Sequence, residues 1–170
     1  VLVFHAIVLS RFAYWTQPIG WLLAVAMAGG TAAALTVLLG RVGIGRRTQG
    51  TVDALTYYPE LRVLETSVRL ESGWPGHDAG QFAFVTSTGN EGPHPYTIAS
   101  AWNPDERRVV FITKALGDHT SKLHDRLVVG TPVTVEGPYG CFDFGDRHPR
   151  QIWIGAGIGV TPFIARMKQL

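Results

Sequence analysis

From Ile19 to Gly40 the chain runs for 22 residues without a charged side chain. As a helix at ~1.5 Å per residue this run reaches ~33 Å, enough for a ~30 Å hydrocarbon core. A run this long and this apolar suits a membrane span better than a buried core helix, and Gly29, Gly30 and the many alanines suit close helix packing in lipid. Arg41, Arg46 and Arg47 follow at once, which predicts a cytoplasmic location for that end and for everything after it. Arg11 is the one formally charged residue in positions 1–40, so the other 14 Lys and Arg and all 13 acids lie beyond. That division predicts an integral membrane segment, residues 1–40, followed by a folded domain. Val1 to Ser10 is too short to span and lacks a signal peptide's basic start, so it reads as the tail of an earlier helix, with Phe12, Tyr14 and Trp15 in an outer loop. His5 lies within it, and an ionisable residue there is either a functional group or an interfacial histidine near a helix end.

With 46% hydrophobic residues and a net charge of +2, the chain has neither the composition of a disordered segment nor that of a nucleic-acid binder. Residues 41–50, with three glycines among arginines, read as a juxtamembrane linker. Alternating apolar and polar positions then predict strands at Val52–Tyr58, Leu61–Leu70, Gln81–Ser87, His94–Ser100, Val109–Leu116 and Thr131–Glu136, the spacing of a small antiparallel barrel. A short helix is expected over Ser121–Leu127, a turn at Gly137-Pro138-Tyr139-Gly140, a strand at Gln151–Ile154 and a helix over Phe163–Leu170. Cys141 is the one cysteine, which excludes an internal disulfide and predicts a small buried hydrophobe.

Three stretches carry chemistry. Gly92-Pro93-His94-Pro95-Tyr96-Thr97-Ile98-Ala99-Ser100 sets an imidazole, an aromatic ring and a hydroxyl on a proline-stiffened strand. Strand alternation predicts His94 and Tyr96 on one face and Thr97 on the other. Such a set can meet a phosphate, lie on a flat heterocycle and hydrogen-bond a ring nitrogen; it also describes an ordinary strand entry. Lys114 precedes Gly117-Asp118-His119-Thr120, where a helix starting behind glycine offers backbone N–H groups to an anion, or is simply capped by Asp118 or Thr120. Gly155-Ala156-Gly157-Ile158-Gly159, followed by Thr161 and Pro162, sits between a predicted strand and helix, the place for a phosphate cradle. Its Gly-x-Gly-x-Gly spacing differs from the common dinucleotide fingerprint.

Taken in order, with Glu136 to Gly140 between the second and third, these motifs resemble the ferredoxin reductase superfamily, and more closely its ferric reductase and NADPH oxidase-like membrane flavocytochromes. The resemblance covers about two thirds of the chain. Gly80-Gln81-Phe82 also resembles the Pro-Gly-Gln-Phe of the family, with Ala79 in place of proline. The fold class it implies is a transmembrane helix or helices, then an antiparallel β-barrel FAD-binding domain over 51–148, then the start of an α/β NAD(P)-binding domain at 149–170. It places His94 at the pyrophosphate or ribityl region, Tyr96 on the ring, Thr97 at its nitrogen edge, and Gly117 and Thr120 at phosphate, with Pro95, Lys114, Asp118 and His119 also among the cofactor-binding residues. Gly137, Pro138, Tyr139 and Gly140 close the barrel near the ring; Gly155, Gly157, Gly159, Thr161 and Pro162 receive the nicotinamide cofactor. Thr97 and Thr161 then lie nearest the hydride path, and His5 stands where a haem b ligand is expected. The function implied is membrane-bound transfer of electrons from NAD(P)H through FAD, onward to haem b and an acceptor across the membrane. Two rivals remain: an anchored FAD reductase without haem that serves a soluble acceptor, and a barrel kept as an interaction module.

Overall fold

The computed structural model describes residue 4 and residues 17–87, 92–145 and 150–170, which divide into two compact units, Val1–Ile44 and Gly45–Leu170. His5 and the Phe12–Trp15 loop lie outside the described residues.

In the first unit, helix α1, Pro18–Leu38, opens with a proline in its first turn, where the missing N–H costs nothing. Its two hydroxyls are satisfied within the helix: Thr31 donates to the Met27 carbonyl at 2.8 Å and Thr36 to Ala33 at 2.7 Å. Gly40, at φ +62°, ends it in a Schellman turn, with Arg41 N–H on the Thr36 carbonyl and Gly40 N–H on Val37. Nearly every side chain of α1 is exposed, and its length and composition are sufficient to cross a membrane.

The second unit is built on six antiparallel strands: β1 Arg47–Tyr58, β2 Val63–Leu70, β3 Phe82–Thr86, β4 His94–Thr97, β5 Arg108–Lys114 and β6 Pro132–Tyr139, in the order β4-β3-β6-β1-β2-β5. Just past β4 the chain crosses to the opposite edge: Ile98 bridges Phe111, and Ala99 N–H bonds the Val110 carbonyl at 2.8 Å. The sheet thus curls on itself around Val52, Val68, Ile98, Val109, Phe111 and Val135, each no more than 2% exposed. Helix α2, Asp118–Arg126, covers one opening with Leu123, and Leu127 just after it is buried as well.

Several expectations need correction. β1 begins at Arg47, inside the segment read as linker, because Arg47 to Thr51 pair with Glu136 to Pro132 and Arg47 also reaches the Glu136 carboxylate at 2.8 Å. The expected turn at Gly137 to Gly140 is mostly strand: Phe82 pairs with Tyr139 and Phe84 with Glu136, and a bulge absorbs the extra residue. Gln151–Ile154 forms no strand. Among the described residues no neighbour pairs with it, and Ile152 and Ile154 are 91% and 88% exposed. Cys141 is exposed. Helix α3, Thr161–Gln169, starts two residues before the expected Phe163, because Pro162 fits a first turn.

The Gly73–Gly80 connection between β2 and β3 holds a buried polar clasp. Trp74 Nε1–H donates to His77 Nδ1 at 3.3 Å; an indole N–H can only donate, so Nδ1 accepts and Nε2 carries the proton. Nε2 then donates to the Ser100 carbonyl at 3.1 Å, while the Ser100 hydroxyl oxygen accepts the Val110 N–H. The clasp fixes the end of the segment that carries His94 to Ser100. Burial pushes the His77 pKa down against opposing effects of the Ser100 carbonyl and the Asp78 charge. A histidine buried neutral stabilises the fold fully above its unfolded pKa near ~6.5, and this contribution is lost as pH falls below that value toward the lowered folded one. The thermal midpoint of the protein should therefore drop between pH 7.5 and pH 5, and His77→Gln should flatten that drop. A slope unchanged by the substitution would rule out His77 as its source.

Candidate functional site

Two openings meet where β4 runs beside α2. One is a cavity of about 290 Å³ bordered by Pro95, Tyr96 and Thr97 of β4, Thr113 and Lys114 of β5, Thr120 of α2, and Ile158, Gly159, Thr161 and Pro162. The other, of about 380 Å³, is bordered by Gly92, His94, Asp118, His119, Lys122 and Arg126. The boundary between them falls after His94 on the strand and after His119 on the helix. Tyr96 and Thr97 border the same cavity despite strand alternation, because β4 is an edge strand and the cavity lies along its free side.

Within this junction the rings are ordered. Tyr96 hydroxyl and His119 Nε2 share a hydrogen bond of 2.8 Å, and His119 stacks on His94 with centroids 3.6 Å apart and planes 12° from parallel. Tyr96 also packs toward Phe111 of the core, centroids 6.1 Å apart. The turn before α2 is held by Thr120, whose hydroxyl oxygen accepts the N–H groups of Leu116 and Gly117 at 3.1 and 3.2 Å. This reaches back three residues as a capping box does, while Gly117 at the cap supplies no side-chain acceptor of its own.

Gly137, Pro138 and Tyr139 lie on β6 and Gly140 just past it, and none of the four is among the residues that border these two openings. There Tyr139 packs near Phe82 and Phe84, donates its hydroxyl to Glu136 at 2.9 Å and lies under the Arg46 guanidinium, 5.1 Å from the ring centre. Partial desolvation and the Glu136 carboxylate push the Tyr139 phenol up, against the pull of Arg46 and Arg47. Gly155 and Gly157 have structural reasons to be glycine. A Cβ at Gly155 would lie 2.7 Å from the Phe163 ring, and Gly157 adopts φ +55°.

The sequence reading missed Lys122 and Arg126, which resemble the solvated face of any short helix. Their spacing behind His119, at i+3 and i+7, is the signal that puts all three on one stripe. No group of His, Cys, Asp and Glu suited to a metal occurs among the described residues.

A protein-family model described as an FAD-binding domain matches residues 51–142. The chain belongs to this FAD-binding family. Residues 51–142 contain both the Pro95–Thr97 wall and the α2 turn. Ferric reduction oxidase 5 of Arabidopsis thaliana is 37% identical over 81 residues, spanning 45% of this chain and 12% of that protein; ferric reduction oxidase 4 of the same plant is 35% identical over 81 residues, with the same shares. The chain therefore spans about an eighth of these curated relatives. A cytochrome P450 reductase of Amycolatopsis has the same fold at 21% identity and a TM-score of 0.61, covering 72% of this chain and 39% of its own. The ferredoxin reductase-type fold and the ferric reductase branch read from the motif order agree with these relatives.

Proposed function

We propose that this chain is the flavin-holding part of a membrane-bound oxidoreductase that takes a hydride from NAD(P)H onto FAD and sends electrons to haem b and an acceptor across the membrane. The observation that carries this reading is the shared 290 Å³ cavity, which Tyr96, Thr97 and Lys114 border together with Gly159 and Thr161 of the glycine loop. Hydride transfer needs donor carbon and acceptor nitrogen ~3 to 3.5 Å apart, so a flavin wall and a nicotinamide wall must face one space. The wall chemistry suits a flavin: an aromatic side chain for the ring, threonine hydroxyls for its polar edge and a lysine for negative charge. Bound FAD supplies the change from two-electron nicotinamide chemistry to one-electron transfer.

In this reading Tyr96 lies along the ring and Thr97 meets its nitrogen edge, while His94 and the α2 turn take the phosphates. Thr120 serves by holding that turn, since its hydroxyl is already bonded to two backbone N–H groups. Gly155, Gly157 and Gly159, with Thr161 and Pro162, shape the nicotinamide side as the opening of a nucleotide domain at 149–170. Residues 1–40 lie in the membrane, a short link follows them, a barrel that opens with β1 at Arg47 stands on the cytoplasmic side, and His5 ligates haem. No acid–base pair is required; these residues orient and exclude water.

The test is a visible spectrum of membranes containing the whole protein, recorded before and after NADH or NADPH. Flavin bleaching together with growth of reduced b-type haem bands is expected. Bleaching without haem bands would leave an anchored reductase serving a soluble acceptor, and absence of flavin would overturn the reading in favour of an interaction module.

A further inference from the structure

His77 is a titratable group sealed into a box of aromatic and hydroxyl neighbours. Trp74, His77 and Ser100 are each no more than 8% exposed. The Trp102 ring meets the imidazole edge-on, centroids 5.4 Å apart, and Gly76, at φ +94°, makes room for it: a Cβ there would lie 3.0 Å from the indole. This box accepts a neutral imidazole and no other form. A second ring proton would set Nδ1–H opposite the Trp74 Nε1–H, two donors 3.3 Å apart, and an indole N–H has no lone pair to offer in return. Asp78, next in the chain, is the charge whose field favours the imidazolium; Trp74, Ser100 and Trp102, which face the ring from the other sides, carry none. A buried cation without an acceptor is costly, so the imidazolium must turn out to water and give up its bond to the Ser100 carbonyl.

That bond matters to the cavity through a short run of chain. Tyr96 and Thr97 border the cavity; Ile98 N–H then meets the Gln81 carbonyl at 3.0 Å, Ala99 N–H meets Val110 at 2.8 Å, and Ser100 ends the run on His77 and on the Val110 N–H. β4 is an edge strand, so these bonds past its end fix what β3 alone does not. The His77 loop touches the run twice: directly at Ser100, and at Ile98 through Gln81, whose side chain accepts the Asp78 N–H at 2.8 Å. We infer that His77 is a proton-sensitive positioning residue: neutral, it pins the run that carries Tyr96 and Thr97, and protonated, it releases that run, so binding in the cavity is linked to loss of a proton from His77. The inference rests on the flavin reading of the cavity for its ligand and adds a regulation to it. Linkage of one proton sets the sign and the limit. Burial holds the clasped imidazole below its usual pKa, while the released one returns to about 6.5, so affinity is full above that pH and falls below it by no more than about tenfold per pH unit.

The test titrates FAD by fluorescence into the full chain in detergent, into His77→Gln and into His77→Ala, between pH 7.5 and pH 5, at a temperature where far-UV circular dichroism shows each protein folded. A glutamine amide can accept from the indole and donate to the Ser100 carbonyl without titrating; alanine can do neither. His94, His119 and the flavin phosphates are common to all three, so the ratio of the original constant to that of His77→Gln isolates His77. That ratio should rise about five- to thirtyfold from pH 7.5 to pH 5. His77→Ala should bind FAD more weakly than His77→Gln at every pH, with the same slope. In the flavin-free proteins, amide exchange at Ile98, Ala99 and Val110, corrected for its intrinsic pH dependence, should gain speed at pH 5 in the original chain and not in His77→Gln. Equal pH slopes for FAD in the original chain and His77→Gln would overturn the inference, and so would exchange at those three amides that ignores His77. If the original chain binds no FAD at any pH, the flavin reading of the cavity fails, and the exchange rates still decide whether His77 releases the run. Should His77→Gln misfold, His77→Asn is judged by the same ratio.

Discussion

Replacing Gly80 by alanine is expected to lower the thermal midpoint by roughly 5 °C or more, a loss of about 2 to 6 kcal/mol. Two costs combine. Gly80 has φ +100°, a conformation that L side chains rarely adopt and that costs about 1 to 3 kcal/mol. Its Cβ would also strike the Phe142 carbonyl oxygen and come within 2.8 Å of the Phe142 ring, an overlap worth about 1 to 3 kcal/mol if the backbone yields. Yielding is not local: Gln81 N–H bonds Asp78, and the Gln81 carbonyl holds the Ile98 N–H at 3.0 Å, just past Thr97. A shift at Gly80 therefore loosens the end of β4, and FAD affinity should fall along with stability. Gly45→Ala, where the added methyl meets nothing within 4 Å, is the control and should change the midpoint little. A Gly80→Ala midpoint within 3 °C of the original would show that the Asp78–Gln81 turn can move independently of the sheet.

Gly80 also illustrates what the sequence could and could not disclose. Gly80-Gln81-Phe82 is visible as a motif, and its glycine reads as a turn residue. The reason no other residue fits is a contact with Phe142, more than sixty positions away, and no local pattern reports such a contact. The strands themselves were legible because a half-buried strand writes its burial into every second residue, as Val133 and Val135 do on β6. Partner order was not, since a period of two fixes the face of a side chain and not the neighbour of a strand. For the same reason Arg47 to Gly50, at the end of a stretch of arginines and glycines that begins at Gly40, read as linker although β6 pairs with them. Gln151–Ile154 failed in the opposite direction: its composition favours a strand, but a ladder needs a second strand beside it.

The candidate site was legible to the extent that its parts lie in short segments. Pro95, Tyr96 and Thr97 come from one stretch, Thr120 from another and Thr161 from a third, and the fold brings all of them to one cavity. The His77 clasp was hidden because Trp74, His77 and Ser100 look unremarkable apart; only packing turns an ordinary turn region into the support of the β4 segment. Residues 137–140 moved the other way, from an expected turn to the bulged end of β6 and the residue after it, outside the residues that border the two openings. Their contribution runs through Tyr139, Glu136, Arg47 at the start of β1 and Arg46 just before it.

Tyr96→Ala should weaken FAD binding by about 1 to 3 kcal/mol, roughly 5- to 150-fold, the range seen when an aromatic platform is removed from beneath a stacked heterocycle. Tyr96 is the sensitive position because one side chain performs two tasks. Its ring borders the cavity, and its hydroxyl holds His119 at 2.8 Å, which in turn lies flat on His94. Tyr96→Phe separates them. Keeping the ring and removing the hydroxyl should leave most of the affinity, with a loss of about 0.5 to 1.5 kcal/mol for one hydrogen bond. Fluorescence titration of FAD into the full chain and each variant gives the constants, and the thermal midpoint in the absence of flavin gives the separate cost of the missing contact with Phe111. If alanine and phenylalanine weaken FAD equally, the hydroxyl and its histidine pair carry the binding and the ring does not. If neither variant alters FAD affinity while both fold, the flavin lies elsewhere and the cavity must be assigned another occupant.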